Sequence, residues 1–162
     1  MNIIKDPKQL SVAQDAVFAN PAYQPKADGE TFCNLATQDV LRRMGYDLFD
    51  VLNVGGDKPF TADEMYFYIS THPEWLIKPM VDAQGLVNEG VILVAILPAV
   101  KLGQEHGHVN TLSPGVGGFS GHWDMSDPVC MNLGRAGTCF RSKGLSFAFV
   151  PIPEIYALVA TL

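Results

Sequence analysis

The chain has 162 residues, of which 48% are hydrophobic and 17% charged, and its formal net charge is −6. This length favours one compact domain with its own core, and the acidic balance argues against a nucleic acid or an anionic membrane surface as partner. The most apolar run, residues 91–100, contains a proline and is half as long as a membrane-spanning helix, which needs about 20 residues.

The N-terminal part of the chain has little hydrophobic pattern. The stretch NPAYQPKADGE, residues 20–30, is rich in Pro, Asn, Asp and Gly and predicts an extended loop. We therefore expect residues 1–29 to be loop-rich. The first residues lack the apolar core of a signal peptide, so we expect a cytoplasmic protein, or one that acts in the cell wall or periplasm after delivery by lysis or a secretion system.

Residues 30–72 are predicted to be helical. A first helix begins near Thr31, because apolar side chains recur there at the 3.6-residue spacing of an α-helix, and Gly45 is placed to end it. The stretch TADE, residues 61–64, has the pattern of a capping box and opens a second helix that stops before Pro73. The apolar face of the first helix consists of Cys33, Ala36, Thr37, Val40, Leu41 and Met44, its polar face consists of Gln38, Asp39, Arg42 and Arg43, and the apolar stripe of the second helix consists of Met65, Tyr68 and Ile69.

The second half of the chain is predicted to form strands. Continuous apolar or alternating patterns of strand length occupy residues 90–97, 107–112, 128–134 and 145–152, and a Gly-rich loop, residues 113–127, separates the second from the third. Consecutive strands with short connections usually pair antiparallel. The prediction is an α+β fold: one domain over residues 1–162, with N-terminal helices packed on a small antiparallel sheet over residues 90–152.

Cys33, at the start of the first helix, has the position that a reactive thiol needs. A free thiol is only a few per cent thiolate near neutral pH, whereas a helix N-terminus and a nearby imidazolium both stabilise the anion. His108 lies within the predicted strand 107–112, where alternation places His106, His108 and Asn110 on one face. We interpret Cys33 and His108 as a candidate nucleophile and base; a cysteine that only fills space in the core is the alternative.

A histidine that acts as a base needs a neighbouring group to orient its ring. Asn132 lies on the next predicted strand, where it shares a face with Cys130, and an amide can orient an imidazole without adding charge. Asp124 and His122, in the loop before that strand, are the alternatives for this third position.

The three cysteines, Cys33, Cys130 and Cys139, are an odd number without a signal peptide, which argues against a disulfide framework and leaves only a pairing of Cys130 with Cys139 open. Neither a Cys-x-x-Cys pair nor a His-x-x-x-His pair occurs, so we expect no zinc site.

Three stretches of the sequence are similar to a known family. TFCNLATQDVLRRMGYDL, residues 31–48, resembles the nucleophile helix of the NlpC and CHAP superfamily, the papain-like cysteine peptidases and amidases of bacterial cell walls, in which a Cys-Asn pair often opens the helix. VNEGVILVAILPAVKLGQEHGHVNTLSPG, residues 87–115, and PVCMNLGRAGTCFRSKGLSFAF, residues 128–149, resemble the strands that follow it. The resemblance extends over about residues 22–150, nearly the whole chain.

This resemblance implies a papain-like catalytic domain that hydrolyses an amide bond in the peptide stem of peptidoglycan, as an amidase or an endopeptidase, without a metal or cofactor. It assigns Cys33 as nucleophile, His108 as base and Asn132 as the third polar residue, with Asn34 and Trp123 as candidate binding residues. The implied setting is a phage lytic protein or an interbacterial amidase toxin, for which an immunity or inhibitor protein would be a further partner. A catalytically silent module of this fold and a thioester or acyl-transfer enzyme are the alternatives.

Overall fold

The computed structural model describes residues 3–27, 31–48 and 59–159. The helices are α1 Pro7–Phe18, α2 Cys33–Arg43, α3 Ala62–Thr71, α4 Met80–Asn88 and α5 Ala99–Leu102, and 3₁₀ turns occupy Pro21–Tyr23 and Leu145–Phe147. The strands are β1 Trp75–Ile77, β2 Leu93–Leu97, β3 His108–Leu112, β4 Gly118–Ser120, β5 Met125–Asp127, β6 Val129–Asn132, β7 Phe140–Gly144 and β8 Glu154–Leu158.

Six strands form one sheet in the order β1-β8-β2-β3-β6-β7, and β4 and β5 form a separate two-stranded sheet. Every neighbouring pair is antiparallel. Helix α2 packs on β3, and α3 packs against β1 and β2. The predicted α+β class, with helices on an antiparallel sheet, is confirmed.

Helix α2 lies against the sheet through the face that its sequence predicted, but its second face is also partly buried. Val40 and Leu41 are fully buried, as expected. Gln38 and Asp39, predicted to be on the polar face, are buried as well. Gln38 donates to the carbonyl of Phe60 at 2.9 Å, and Asp39 accepts from Arg42 at 2.7 Å. Both buried polar groups are thus hydrogen-bonded, which makes their burial tolerable.

Helix α3 begins and ends as predicted. The Thr61 hydroxyl accepts from the Glu64 backbone N–H, and the Glu64 carboxylate accepts from the Thr61 backbone N–H, which completes the capping box. The helix stops at Thr71, two residues before Pro73, and buries Met65, Tyr68 and Ile69. Among the described residues, the helices are all too short or too polar to cross a membrane.

The prediction that residues 1–29 are loop-rich is wrong, because α1 occupies much of this segment. The helix starts at a proline, a residue well suited to the first helical position, and the Asp6 carboxylate accepts from the Lys8 backbone N–H at 2.8 Å. Its buried face includes the polar Gln14, whose amide donates to Thr111 Oγ1 and to the Leu112 carbonyl, each at 2.8 Å. A glutamine in the buried face weakened the apolar pattern in the sequence.

The sheet also differs from its predicted extent of residues 90–152. The predicted strand at residues 145–152 is wrong: a 3₁₀ turn occupies Leu145–Phe147, and strands β7 and β8 lie on either side of the segment. The Asp127 carboxylate accepts from both the backbone N–H and the hydroxyl of Ser146, at 2.8 and 2.6 Å, which stabilises the turn in place of a ladder. The loop predicted at residues 113–127 contains the β4–β5 hairpin.

Candidate active site

Cys33 is the first residue of α2, at a helix end without a side-chain cap. Phe32 occupies the cap position and offers no side-chain acceptor, so first-turn N–H groups are free to act on a nearby anion. The backbone of Asn34, next in the chain, lowers the pKa of the Cys33 thiol. The side chain of Cys33 is 6% exposed, and the positive end of the helix dipole favours its anionic form.

His108 begins β3 and meets Cys33 because α2 packs on that strand. The imidazole and the thiol lie close enough for each to shift the pKa of the other towards its charged form, and the neighbouring Val109 backbone also lowers the pKa of the thiol. The buried ring of Phe149 packs against the imidazole with centroids 4.8 Å apart. The helix and the sheet thus bring together the two residues that sequence reasoning paired.

Asn132, at the end of β6, is hydrogen-bonded to the other side of the imidazole. The β3–β6 register pairs Thr111 with Met131, which places His108 and Asn132 on the same face of neighbouring strands. His108 Nε2 and Asn132 Oδ1 are 2.8 Å apart. Asn132 is 1% exposed and its Nδ2 donates to the Thr138 carbonyl at 2.9 Å.

The contact with Thr138 determines how the ring and the amide face each other. A carbonyl can only accept, so the group of Asn132 that faces Thr138 must be the NH₂ and the group that faces His108 must be the oxygen. His108 Nε2 therefore bears the hydrogen and donates it. The remaining ring nitrogen, Nδ1, is left for Cys33, where it can accept the thiol proton.

The pKa values of the two residues shift in opposite directions. Burial raises the pKa of the Cys33 thiol, but the charge and hydrogen bond of His108, with the backbone hydrogen bonds of Val109 and Asn34, outweigh it and hold that pKa below its ordinary value. Burial lowers the pKa of His108, and the charge and hydrogen bond of Cys33, with the hydrogen bond of Asn132, more than reverse it. Each of the two residues therefore stabilises the charged form of the other.

The alternatives for the third position lie in a different part of the fold. His122 and Asp124 are exposed and belong to the turn between β4 and β5, where Asp124 has a positive φ of 53°. The amide of Asn132 is instead the group in contact with the ring of His108. The expectation that His106 shares a strand face with His108 is wrong, because β3 begins at His108 and His106 is exposed before it.

The two candidate binding residues have structural contacts. Trp123 is 8% exposed, belongs to the core and donates from Nε1 to the Val150 carbonyl at 3.0 Å. Asn34 donates from Nδ2 to the Phe60 carbonyl at 2.6 Å. These contacts use the indole N–H of Trp123 and the NH₂ group of Asn34.

The other two thiols differ from Cys33 in environment. Cys130 is fully buried beside Asn110, whose amide donates to its sulfur at 3.6 Å, and burial raises its pKa well above the ordinary value. Burial also raises the pKa of the half-buried Cys139. All three cysteines are free, so the pairing of Cys130 with Cys139 that the sequence left open is not formed.

Sequence reasoning missed the residues that hold Asn132. Thr138 supplies the carbonyl for its amide, and Gly134 passes so close that a methyl group there would lie 3.2 Å from Asn132 Nδ2. The Gly-rich composition of residues 134–137 was a signal of a tight turn, but not of its contact with the site. Phe149 was assigned to a strand that does not form.

Within the described part of the chain, no three His, Cys, Asp or Glu side chains are grouped as metal ligands would be. No protein-family model and no curated protein matches the chain.

Proposed function

We propose that the protein is a cysteine hydrolase that cleaves an amide bond in the peptide stem of peptidoglycan, with Cys33 as nucleophile, His108 as base and Asn132 as the residue that orients His108. The observation that supports the thiol chemistry is the placement of His108 between Cys33 and Asn132, where the pKa of the thiol is lowered, that of the imidazole is raised, and Asn132 is hydrogen-bonded to the ring. The choice of peptidoglycan comes from the resemblance of residues 31–48, 87–115 and 128–149 to the NlpC and CHAP superfamily.

The first half of the reaction forms an acyl-enzyme. The Cys33 thiolate attacks the amide carbonyl, a carbon–sulfur bond forms, and the negative charge moves to the carbonyl oxygen. The uncapped start of α2 offers backbone N–H groups, that of Cys33 itself among them, to stabilise this oxyanion. His108 then gives its proton to the leaving nitrogen, the carbon–nitrogen bond breaks and the amine departs.

The second half of the reaction hydrolyses the thioester. His108, now neutral, takes a proton from water as the water oxygen attacks the acyl carbon. The carbon–sulfur bond breaks, the product leaves as a carboxylic acid, and the thiolate–imidazolium pair forms again. Asn132 keeps the Nε2 proton in place throughout, so that Nδ1 always faces the reacting atoms.

The direct test is digestion of purified peptidoglycan, followed by mass spectrometry of the soluble products. We expect new fragments whose masses identify the cleaved amide bond, and none from the Cys33→Ala variant, which loses the nucleophile but keeps a small side chain at a buried position. The position of the new amine or carboxylate distinguishes an amidase from an endopeptidase.

Two other outcomes would contradict this proposal. Cleavage of acyl thioesters without any cleavage of peptidoglycan would indicate an acyl-transfer or thioester enzyme. No cleavage of either substrate, together with alkylation of Cys33 no faster than that of an ordinary thiol, would indicate a catalytically silent module.

A further inference from the structure

A cavity of about 370 Å³ lies beside β6 and β7, at the start of β6, whereas Asn132 is at the end of that strand. One wall is the β4–β5 hairpin, and the other consists of β7 and the 3₁₀ turn that follows it. Val129, which pairs with Gly144, lines the cavity, whereas Asn132 pairs with Phe140. Three residues along β6 thus separate the cavity from Asn132, which is about 10 Å at about 3.4 Å per residue.

The two walls are joined by hydrogen bonds, so the cavity is formed without a ligand. Asp127 on the hairpin accepts from the backbone N–H and the hydroxyl of Ser146 on the opposite wall, at 2.8 and 2.6 Å. Gly144 makes room for this contact, because a methyl group there would overlap the Asp127 carboxylate. A cavity of this size is within the range of small-molecule sites, which are usually pre-formed.

The cavity is lined by more polar than apolar surface, and it includes two exposed aromatic rings and one accessible positive charge. The rings of Phe119 and Phe147 are 68% and 69% exposed. Lys143 Nζ lies 5.8 Å from the centroid of Phe147, and within the described residues Lys143 pairs with no carboxylate. Asp127 is 6% exposed, and both its oxygens accept hydrogen bonds from Ser146.

The geometry points to a second binding site in this cavity, for the carboxyl end of a peptide whose last residue has an apolar side chain. The terminal carboxylate pairs with Lys143, and the apolar side chain lies against Phe119 and Phe147. Among the residues that line the cavity, Lys143 carries the positive charge that an anionic end group needs. The position relative to the catalytic residues rests on the proposed function: the cavity lies about 10 Å along β6 from Asn132, and the cleaved bond would lie further on, at Cys33.

The binding site can be tested without any turnover. N-acetyl-leucine and N-acetyl-leucinamide differ only in the charge of the end group, and their affinities for the full chain can be measured by NMR titration. We expect the acid to bind about tenfold more tightly, which corresponds to about 1.4 kcal/mol, with the largest shifts at Lys143 and Phe147. Lys143→Gln should bring the two affinities within about twofold of each other, as expected when one charge-assisted contact is lost.

Lys8→Gln is the matched control, because it removes the same charge from an exposed position on α1 and should leave the preference for the acid intact. Equal affinities of acid and amide for the unmodified chain, no binding of either probe up to its solubility limit, or a preference that survives Lys143→Gln would each overturn the proposal.

Turnover then tests the placement relative to the catalytic residues. With stem peptides that end in a free carboxylate, Lys143→Gln should raise KM about tenfold and leave kcat unchanged, and with the amidated peptides it should change neither. An unchanged KM with the free acid would overturn the placement. Failure of the unmodified chain to cleave any stem peptide would overturn the proposed function instead, while the binding site would still be judged by the titration.

Discussion

The most informative single change is Asn132→Ala. It removes the acceptor of the His108 Nε2 hydrogen and the donor to the Thr138 carbonyl, at 2.8 and 2.9 Å respectively. A buried polar group left without a partner costs about 1–3 kcal/mol. Thr138 is exposed and His108 is partly exposed, so water can reach both groups. We therefore expect each lost contact to cost about 1 kcal/mol, and the free energy of unfolding to fall by about 2 kcal/mol in total. For a domain of this size that lowers Tm by about 4–8 °C.

The same change should have a larger effect on catalysis than on stability. Without the amide, either ring nitrogen of His108 can bear the hydrogen and the ring can rotate, so that Nδ1 faces Cys33 for only part of the time. We expect kcat on peptidoglycan to fall about 100-fold, within the usual range for loss of general-base function. The rate of alkylation of Cys33 by iodoacetamide at slightly acidic pH should fall in parallel, and this readout does not depend on the substrate.

The comparison with Asp124→Ala makes this test decisive. Asp124 is exposed in the β4–β5 turn with a positive φ, so its loss should leave both turnover and Cys33 alkylation within about twofold of the unmodified protein. Turnover that survives Asn132→Ala within twofold, or that is lost in Asp124→Ala, would refute the assignment of Asn132 as the residue that orients His108.

Four further predictions concern the same residues. Gly134→Ala places a methyl group 3.2 Å from Asn132 Nδ2, and displacing the Asn132 amide by a few tenths of an ångström should lower turnover about fivefold. Gly85→Ala, in open space on α4, is the control and should have no effect on turnover. Equal activities of the two variants would contradict the packing argument. His108→Ala should lower turnover by about 10²–10⁴-fold with the circular dichroism spectrum unchanged, and an active variant would remove His108 from the mechanism. Mass spectrometry after brief iodoacetamide treatment should find Cys33 labelled well before the other two thiols, because its pKa alone is lowered; uniform labelling would show that the thiol is not activated. The profile of kcat/KM against pH should be bell-shaped, because the proposed active form is the thiolate–imidazolium pair. The rate should rise through a thiol pKa below its ordinary value and fall through a histidine pKa above its ordinary value. A profile that only rises through the ordinary thiol range would contradict this.

Local signals in the sequence determined much of the framework of this protein. The spacing of apolar residues from Cys33 to Met44 predicted the buried face of α2, and the capping box at Thr61 and Glu64 predicted the start of α3. The continuous apolar run at residues 90–97 predicted a buried strand, and β2 is buried along its whole length. These features follow from hydrogen bonds and periodicity within a few residues, which is why they can be recognised without the fold.

The candidate site was predictable to the extent that it follows from helix ends and strand alternation. Cys33 was recognisable because a helix N-terminus stabilises a thiolate. Asn132 was recognisable because the predicted strand at residues 128–134 is expected to pair with the one before it, at residues 107–112. The β3–β6 ladder provides this pairing. The lowered pKa of the thiol and the raised pKa of the ring, however, depend on the contact between α2 and β3, which only the tertiary structure determined.

Segments whose structure depends on distant partners could not be predicted. Residues 145–152 alternate like a strand, but Asp127 binds Ser146 and stabilises a turn there instead. Gln14 interrupts the apolar face of α1, and the Thr111 hydroxyl and the Leu112 carbonyl, about a hundred residues away, accept the hydrogen bonds of its buried NH₂ group. In each case a long-range hydrogen bond to a buried group decided the conformation, because leaving that group without a partner costs more free energy than local propensity provides.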